Sequence, residues 1–269
     1  MSQKKQRLDV RLAAEGCYPS REKARAAVMA GLIFVDGQKV DKPGSMVKPQ
    51  SKVEVRGPSL IYVSRGGLKL EKAIKSFRLT LHDRVVLDVG ASTGGFTDCA
   101  LRNGARLVYA VDVGYGQLDW QLRNDPRVVV LERTNIRYLK EEALPETPDF
   151  ATIDVSFISL SKVLPRIGDL TTVDGAGVAL VKPQFEAGRD QVGKKGVVRD
   201  PAVHEAVLNA VADTIEGLGW VIGGVDYSPL TGPQGNIEFL IYFLKTGLPA
   251  DYDIGQVVRT AHANLGPQV

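Results

Sequence analysis

From residue 84 onward, short apolar runs of four to six residues alternate with stretches whose apolar positions recur every three or four residues. Strands are predicted at 84–88, 107–112, 127–132, 149–156 and 177–182. Helices are predicted between them at 96–101 and 117–124, and a long helix at 201–218. Pro201 suits the first turn of that helix, and Gly217 and Gly219 flank its end. Alternation of this kind implies an α/β fold with a mostly parallel sheet. Two further runs, 221–227 and 237–243, close the sheet as an antiparallel pair, so the last strand is expected antiparallel. Residues 246–269 show no pattern strong enough to order them and read as a weakly constrained tail.

The first 58 residues follow a different rhythm. Leu8, Arg11, Leu12 and Glu15 have helical spacing, and Ser20 is placed to cap a helix at 21–30. That helix sets Ala24, Ala27 and Val28 on one side and Arg21, Lys23 and Arg25 largely on another; Gly31 ends it. Leu32 to Val35, the turn Asp36-Gly37 and Gln38 to Val40 form a hairpin signal. Lys42-Pro43-Gly44 turns the chain again, and 52–55 alternates as a strand. The expected organisation is a small α+β domain at 1–58, a linker at 59–67 and a large domain at 68–269. Pro58 and the pair Gly66-Gly67 were the residues expected to interrupt regular structure at the joint. A helix at 68–77 follows, with Leu70, Ala73, Ile74 and Phe77 in one stripe and Lys69 off it.

Charge sharpens this division. Residues 1–63 hold 12 Lys/Arg against 6 Asp/Glu, and the remainder holds 22 against 25. A basic module beside a slightly acidic domain suits a nucleic-acid anchor joined to an enzyme. The 269 residues are 44% hydrophobic, ordinary for a globular chain, and no apolar run is long enough to span a bilayer. The polar, basic N-terminus does not read as a secretory signal. Cys17 and Cys99 lack metal-ligand spacing and read as reduced thiols, so a metal-free cytoplasmic protein without membrane contact is expected.

Chemistry collects where the predicted strands end. The stretch Asp88-Val89-Gly90-Ala91-Ser92-Thr93-Gly94-Gly95-Phe96 runs from a strand through a glycine turn into a helix, the arrangement of a nucleotide-type site. Its spacing departs from G-x-G-x-x-G, so a pyrophosphate fits poorly. Asp112, 24 positions after Asp88, stands where a carboxylate accepts bonds from ribose hydroxyls. A carboxylate ahead of the glycines favours a cationic ligand. S-adenosylmethionine has an ammonium, a sulfonium and a ribose but no phosphate. A tight turn of an ordinary α/β domain uses the same glycines, and Asp112 is what favours the ligand site. Asn135, Asp154 and Lys182 occupy the next strand ends, and Asn135 suits an adenine edge. Residues 184–200, with Arg189, Lys194, Lys195 and Arg199, read as a mobile lid or RNA-contact loop. Arg65 and Arg133 join Arg189 as candidate RNA contacts on the large domain.

Two resemblances follow from these residues. Arg7-Leu8-Asp9, Ser20-Arg21, Ala24, Gly31, Val35-Asp36-Gly37, Val40, Lys42-Pro43-Gly44 and Val53 resemble the small RNA-binding domain of the fourth protein of the small ribosomal subunit. That resemblance implies RNA contact through Arg7, Arg11, Arg21, Lys23 and Arg25, by phosphates and shape. Gly90 to Thr97, Asp112 to Leu118, Glu132 to Asn135, Ser156 to Leu160, Val181 to Glu186 and Gly235 to Glu238 resemble the TlyA, or hemolysin A, family. The family joins that RNA-binding domain to a Rossmann-like, FtsJ-type methyltransferase domain. It implies S-adenosylmethionine-dependent 2′-O-methylation of cytidine in ribosomal RNA, 16S or 23S, within ribosomal subunits. It also implies a K-D-K-E tetrad at Lys69, Asp154, Lys182 and Glu238. In that reading Lys182 takes or orients the hydroxyl proton, Lys69 supplies a nearby cation, and Asp154 and Glu238 fix the amines. The linker carries Tyr62 where some members carry Trp. A membrane-active cytolysin, as the hemolysin name suggests, and a non-catalytic RNA chaperone are the alternatives. A monomer is expected.

Overall fold

The computed structural model describes residues 5–18, 20–29, 31–55, 62–232 and 234–266. Pro58 and the first residues of the expected linker lie outside the described residues, as does the predicted last residue of the second helix, Ala30. The chain divides into two compact units, residues 1–61 and 62–269.

In the small unit, β1 (Gln6–Arg7) leads into α1 (Leu8–Ala14), followed by α2 (Arg21–Met29). The Ser20 hydroxyl accepts from Lys23 N at 3.3 Å, and Gly31 leaves the helix at φ 71°. β2 (Ile33–Val35) pairs antiparallel with β3 (Gln38–Lys39) and with β5 (Val53–Val55); β4 (Met46–Val47) pairs with β1. Asp36 and Gly37 both take positive φ, 50° and 81°, as a two-residue hairpin turn requires. Leu8, Leu12, Ala24, Val28 and Ile33 are fully buried and form this unit's own core.

The large unit starts with α3 (Gly66–Ser76). Gly66 and Gly67 therefore open a helix, contrary to the expectation that they break one. Their lack of a side chain serves packing: a Cβ on Gly67 would enter the Tyr62 ring, and one on Gly95 would meet Ser64 Oγ and Gly67 N. The seven-stranded sheet then builds in the order β11 (Val221–Tyr227), β12 (Phe239–Leu244), β10 (Ala176–Val181), β9 (Phe150–Ile153), β6 (Val85–Val89), β7 (Leu107–Val111), β8 (Val128–Leu131). β12 is antiparallel to both neighbours and the other pairings are parallel. The helices α4 (Gly95–Arg102), α5 (Trp120–Arg123), α6 (Leu164–Leu170), α7 (Pro183–Glu186) and α8 (Pro201–Gly217) connect the strands. Pro201 is the first residue of α8, and the Asp200 carboxylate caps it through Ala202 N at 2.9 Å. β6, β7, β9 and β10 are buried along nearly their whole length because helices cover both faces, whereas the edge strand β8 is only half-buried beyond Val128.

The expected tail is a helix. α9 (Ile254–Leu265) is capped by Asp253 through Gln256 N at 2.8 Å and buries Ile254, Val258 and Ala261 in the main core. Its stripe is only three residues deep between polar positions, which is why the sequence alone did not announce it. His204 of α8 and His262 of α9 face each other, Nδ1 to Nε2, at 2.9 Å. Burial first and the neighbouring ring second push His204 down to about 4, and burial lowers His262 as well. Folding therefore favours neutral rings, while an unfolded chain takes up protons near pH 6.5. The stabilising contribution is complete above pH 6.5 and is lost as pH falls towards 4. Denaturant midpoints should fall between pH 7 and pH 5, and a His204→Leu variant should show a shallower fall; equal slopes would remove the pair as the cause.

Candidate active site

The sheet changes direction of growth between β6 and β9, and ligands of open α/β sheets bind beyond the carboxyl ends at such a point. Here the two strand ends touch. Gly90 has φ 85°, and a Cβ there would stand 2.5 Å from the Asp154 carbonyl oxygen. Only glycine fits, for both conformation and space. Ser92 at φ 49° and Gly94 at φ 92° continue the turn into α4, with Thr93 between them and Gly95 and Phe96 opening the helix. A Cβ on Gly94 would strike Leu122.

Asp112, just past β7, accepts from Ser92 N at 2.7 Å and from Gly114 N at 2.6 Å. It remains half-buried, and each carboxylate oxygen has a second lone pair for a ligand. Asp88 differs from its expected role as a ligand-facing carboxylate. It is fully buried, with Thr97 Oγ1 donating at 2.6 Å and Thr152 Oγ1 at 2.9 Å. It ties β6 to the first turn of α4 and to β9, and so shapes the glycine turn from behind. Asn135 caps the following helical turn by accepting from Arg137 N at 3.1 Å, which leaves its amide nitrogen.

The four tetrad residues form two ion pairs. Lys69 Nζ lies 2.6 Å from Glu238 Oε2, with side chains 13% and 2% exposed. Lys182 Nζ lies 2.6 Å from Asp154 Oδ1 and donates to Ser156 Oγ at 2.9 Å. The antiparallel strand explains their meeting. β10 pairs Val181 with Phe239 of β12, so the next residues outward, Lys182 and Glu238, reach the same sheet edge. A parallel last strand would have sent residue 238 to the opposite edge. Ser156 is an unforeseen member: with Asp154 it engages two of the three directions of the Lys182 amine.

Next to Ser156, Phe157 has φ 62° and is 89% exposed, its ring 4.8 Å from that of Phe185 on α7. A bulky residue held in the left-handed region with its ring in water marks stored strain at a site. Arg133 is a third such residue, φ 53°, with its guanidinium 4.2 Å over the Tyr115 ring. Arg65 is exposed immediately before α3, and Arg189 is exposed beyond α7. The stretch expected to form a mobile lid or RNA-contact loop is anchored at one end. Val197 and Val198 are buried, and Asn236 bonds to Val198 N at 3.0 Å and Gly196 O at 2.9 Å. Arg189, Lys194 and Lys195 stand exposed on its outer part.

An FtsJ-like methyltransferase family profile matches residues 62–245, and an S4 domain profile matches 6–53. The chain belongs to the TlyA family of FtsJ-like methyltransferases. YqxC of Bacillus subtilis, which carries an rRNA methyltransferase name, is 50% identical, covering 98% of this chain and 97% of its own. The 16S/23S rRNA (cytidine-2′-O)-methyltransferase TlyA of Mycobacterium tuberculosis H37Rv is 46% identical over 88% of each chain. A solved structure from Streptococcus thermophilus that carries the hemolysin name superposes with a TM-score of 0.76 at 47% identity, covering 97% of both. Among the described residues no helix is long and apolar enough to cross a membrane.

The buried Asp88 makes a separate prediction. Desolvation pushes its carboxyl up to about 6, against the two threonine hydroxyls. A raised folded-state value means the folded chain holds a proton that the unfolded chain has released. The contribution of Asp88 to stability is thus greatest below about pH 3.9, the unfolded value, and is lost as pH rises through 6, opposite in sign to that of the histidine pair. Asp88→Asn should remove that fall, so its stability relative to wild type should improve from pH 4 to pH 7. Parallel profiles for the two proteins in chemical denaturation would rule out a buried titrating Asp88.

Proposed function

We propose that this chain transfers the methyl group of S-adenosylmethionine to the ribose 2′-hydroxyl of cytidine in ribosomal RNA, 16S or 23S, working on ribosomal subunits in the cytoplasm. The observation that carries this reading is the pairing of Lys69 with Glu238 and of Lys182 with Asp154 at the carboxyl edge of the sheet, beside the glycine turn. The named activity of the Mycobacterium relative supports the same reaction class.

The turn suits the cofactor. Residues 90–95 contain no Lys or Arg to meet a phosphate. Gly90 and Gly94 let the backbone approach a ligand, Asp112 serves ribose hydroxyls, and the Asn135 amide serves the adenine edge. When bound, the cofactor supplies an electrophilic methyl. The protein's task is to hold the nucleophile in line and manage one proton. Lys182, once its ammonium has passed a proton to solvent, would orient the 2′-oxygen and accept its proton as the methyl is transferred. Asp154 compensates the charge that results, and Ser156 keeps the amine aimed. Lys69, held by Glu238, presents a second cation to the developing charge. The exposed Phe157 ring, backed by the half-buried Phe185, offers the target base a stacking face near Lys182. The small basic unit, with Arg7, Arg11, Arg21, Lys23 and Arg25, anchors the RNA, and Arg65, Arg133 and Arg189 extend that contact on the large unit.

Ribosomal RNA incubated with the protein and labelled cofactor should yield 2′-O-methylcytidine on digestion. A deoxycytidine at the target should accept no label; a methylated base would overturn the reading. Lys182→Ala should lower kcat by about 10²–10⁴-fold while cofactor affinity, measured by calorimetry, is unchanged. Lys182→Arg should fail equally, since a guanidinium cannot accept the proton; an active Arg variant would show that charge alone suffices.

Phe157→Ala tests the stacking face. Base–aromatic stacking contributes about 1–3 kcal/mol, so the variant should weaken productive binding of the RNA by roughly 5- to 150-fold. An exposed ring adds little to folding, so the melting temperature should stay put. Undiminished kcat/KM for RNA would exclude Phe157 from the target site.

A further inference from the structure

We propose that Asp9 of the small unit organises Arg7 and Arg21 into a two-pronged clamp for an RNA phosphate. This rests on the reading that the small unit binds RNA. The side chain of Asp9 is 1% exposed, yet those of its two partners are 47% and 55% exposed. Arg7 grips it edge-on, Nε to Oδ1 and Nη2 to Oδ2, each at 3.0 Å. Arg21 donates Nε to Oδ2 at 3.0 Å, and Val10 N donates to Oδ1 at 3.0 Å. Each carboxylate oxygen thus accepts two bonds, and its capacity is filled.

The arrangement leaves a definite remainder. Arg7 keeps Nη1, and Arg21 keeps both Nη1 and Nη2, free of this carboxylate. One negative charge lies inside and two positive charges reach into solvent, from different elements: Arg7 closes β1 and Arg21 opens α2. Gly44 makes room for the first prong, since a Cβ there would stand 3.2 Å from Arg7 Nη1. The arginine hydrogen bond, ahead of burial and the second arginine, holds the Asp9 carboxyl down to about 2, so the pin stays charged at any physiological pH.

Neutralising one buried carboxylate needs one bidentate arginine. The second, with both of its NH₂ groups free of the carboxylate, is surplus to that need. A surface arginine ordinarily samples many rotamers, and ordering it costs free energy when a ligand binds. Here the order exists before the ligand arrives. Guanidinium edges match phosphate oxygens in shape as well as charge, which a lysine cannot reproduce.

The test separates fixed geometry from bulk charge, using the full chain and purified ribosomal RNA across a salt series. Asp9→Asn adds one net positive charge. If charge alone drives binding, the variant binds more tightly; the clamp requires that it bind about tenfold more weakly. Because Asp9→Asn could unfold the small unit, a double Arg7→Lys, Arg21→Lys variant, which keeps Asp9 and every charge, is measured beside it with melting curves. The double lysine variant should lose affinity several-fold without a lower melting temperature. Wild-type or tighter binding by folded Asp9→Asn, or wild-type binding by the double lysine variant, overturns the clamp. An Arg7→Ala, Arg21→Ala protein that binds like wild type overturns the RNA reading of this unit as well. Loss in the double alanine variant with none in the double lysine variant overturns the clamp alone.

Discussion

The contact of Gly90 with the Asp154 carbonyl is the constraint on which the large unit turns. Two strands that share a ladder end within 2.5 Å of where any side chain at residue 90 would begin. The close approach delivers Asp154 to the carboxyl edge beside the glycine turn. Asp88, directly before that turn, is buried in turn by its threonine partners, so the turn is held from below by hydrogen bonds rather than by packing alone. Ser92, Arg133 and Phe157 take left-handed backbone at the carboxyl ends of three different strands. Strain of this kind persists only where surrounding structure over-determines it. Here the surrounding structure is a sheet whose central strands are almost wholly buried.

Two lysine–carboxylate pairs at that edge are poor investments for stability. Desolvating both partners cancels much of their attraction, and apolar residues of similar size often serve a fold as well. Their retention makes sense as positioning. Lys182 is held by Asp154 and Ser156 from two directions, and a flexible four-carbon stem becomes a directed amine. Lys69 is held by Glu238, whose arrival depends on β12 running against its neighbours. The single antiparallel strand in an otherwise parallel sheet is thus what brings Glu238 to the edge that carries Lys182.

The alternation of strands and helices was legible because fully buried parallel strands leave continuous apolar runs, such as Val85-Val86-Leu87. The strand ends were legible too, since Asp112, Asp154 and Lys182 interrupt those runs with charge. What the sequence concealed was three-dimensional. Gly66 and Gly67 look like breakers, but they are small because α3 and α4 begin almost in contact. α9 is a helix because it has a core to rest on, and an isolated stripe of Ile254, Val258 and Ala261 is too thin to announce itself. Asp88 is spaced like a ligand-binding carboxylate, and only burial shows that it faces inward. Ser156 and Phe157 lay inside a recognisable stretch, but their roles depend on where Lys182 and Phe185 reach from other elements.

In each unit a carboxylate fixes the direction of a basic side chain, and in the proposed function that side chain meets RNA at a defined point. In the large unit Asp154 and Glu238 are 21% and 2% exposed and direct lysines, whose compact ammonium groups suit proton handling. In the small unit Asp9 directs arginines, whose planar forks suit phosphate. The choice of cation follows the chemistry asked of it: a group that never gives up its proton anchors, and a group that can exchange one reacts. In the small unit the anion is buried and its two cations are exposed, which converts long-range attraction, which salt screens, into short-range direction, which salt leaves largely intact. An enzyme that must find one ribose hydroxyl within a large polyanion needs that second property more than the first.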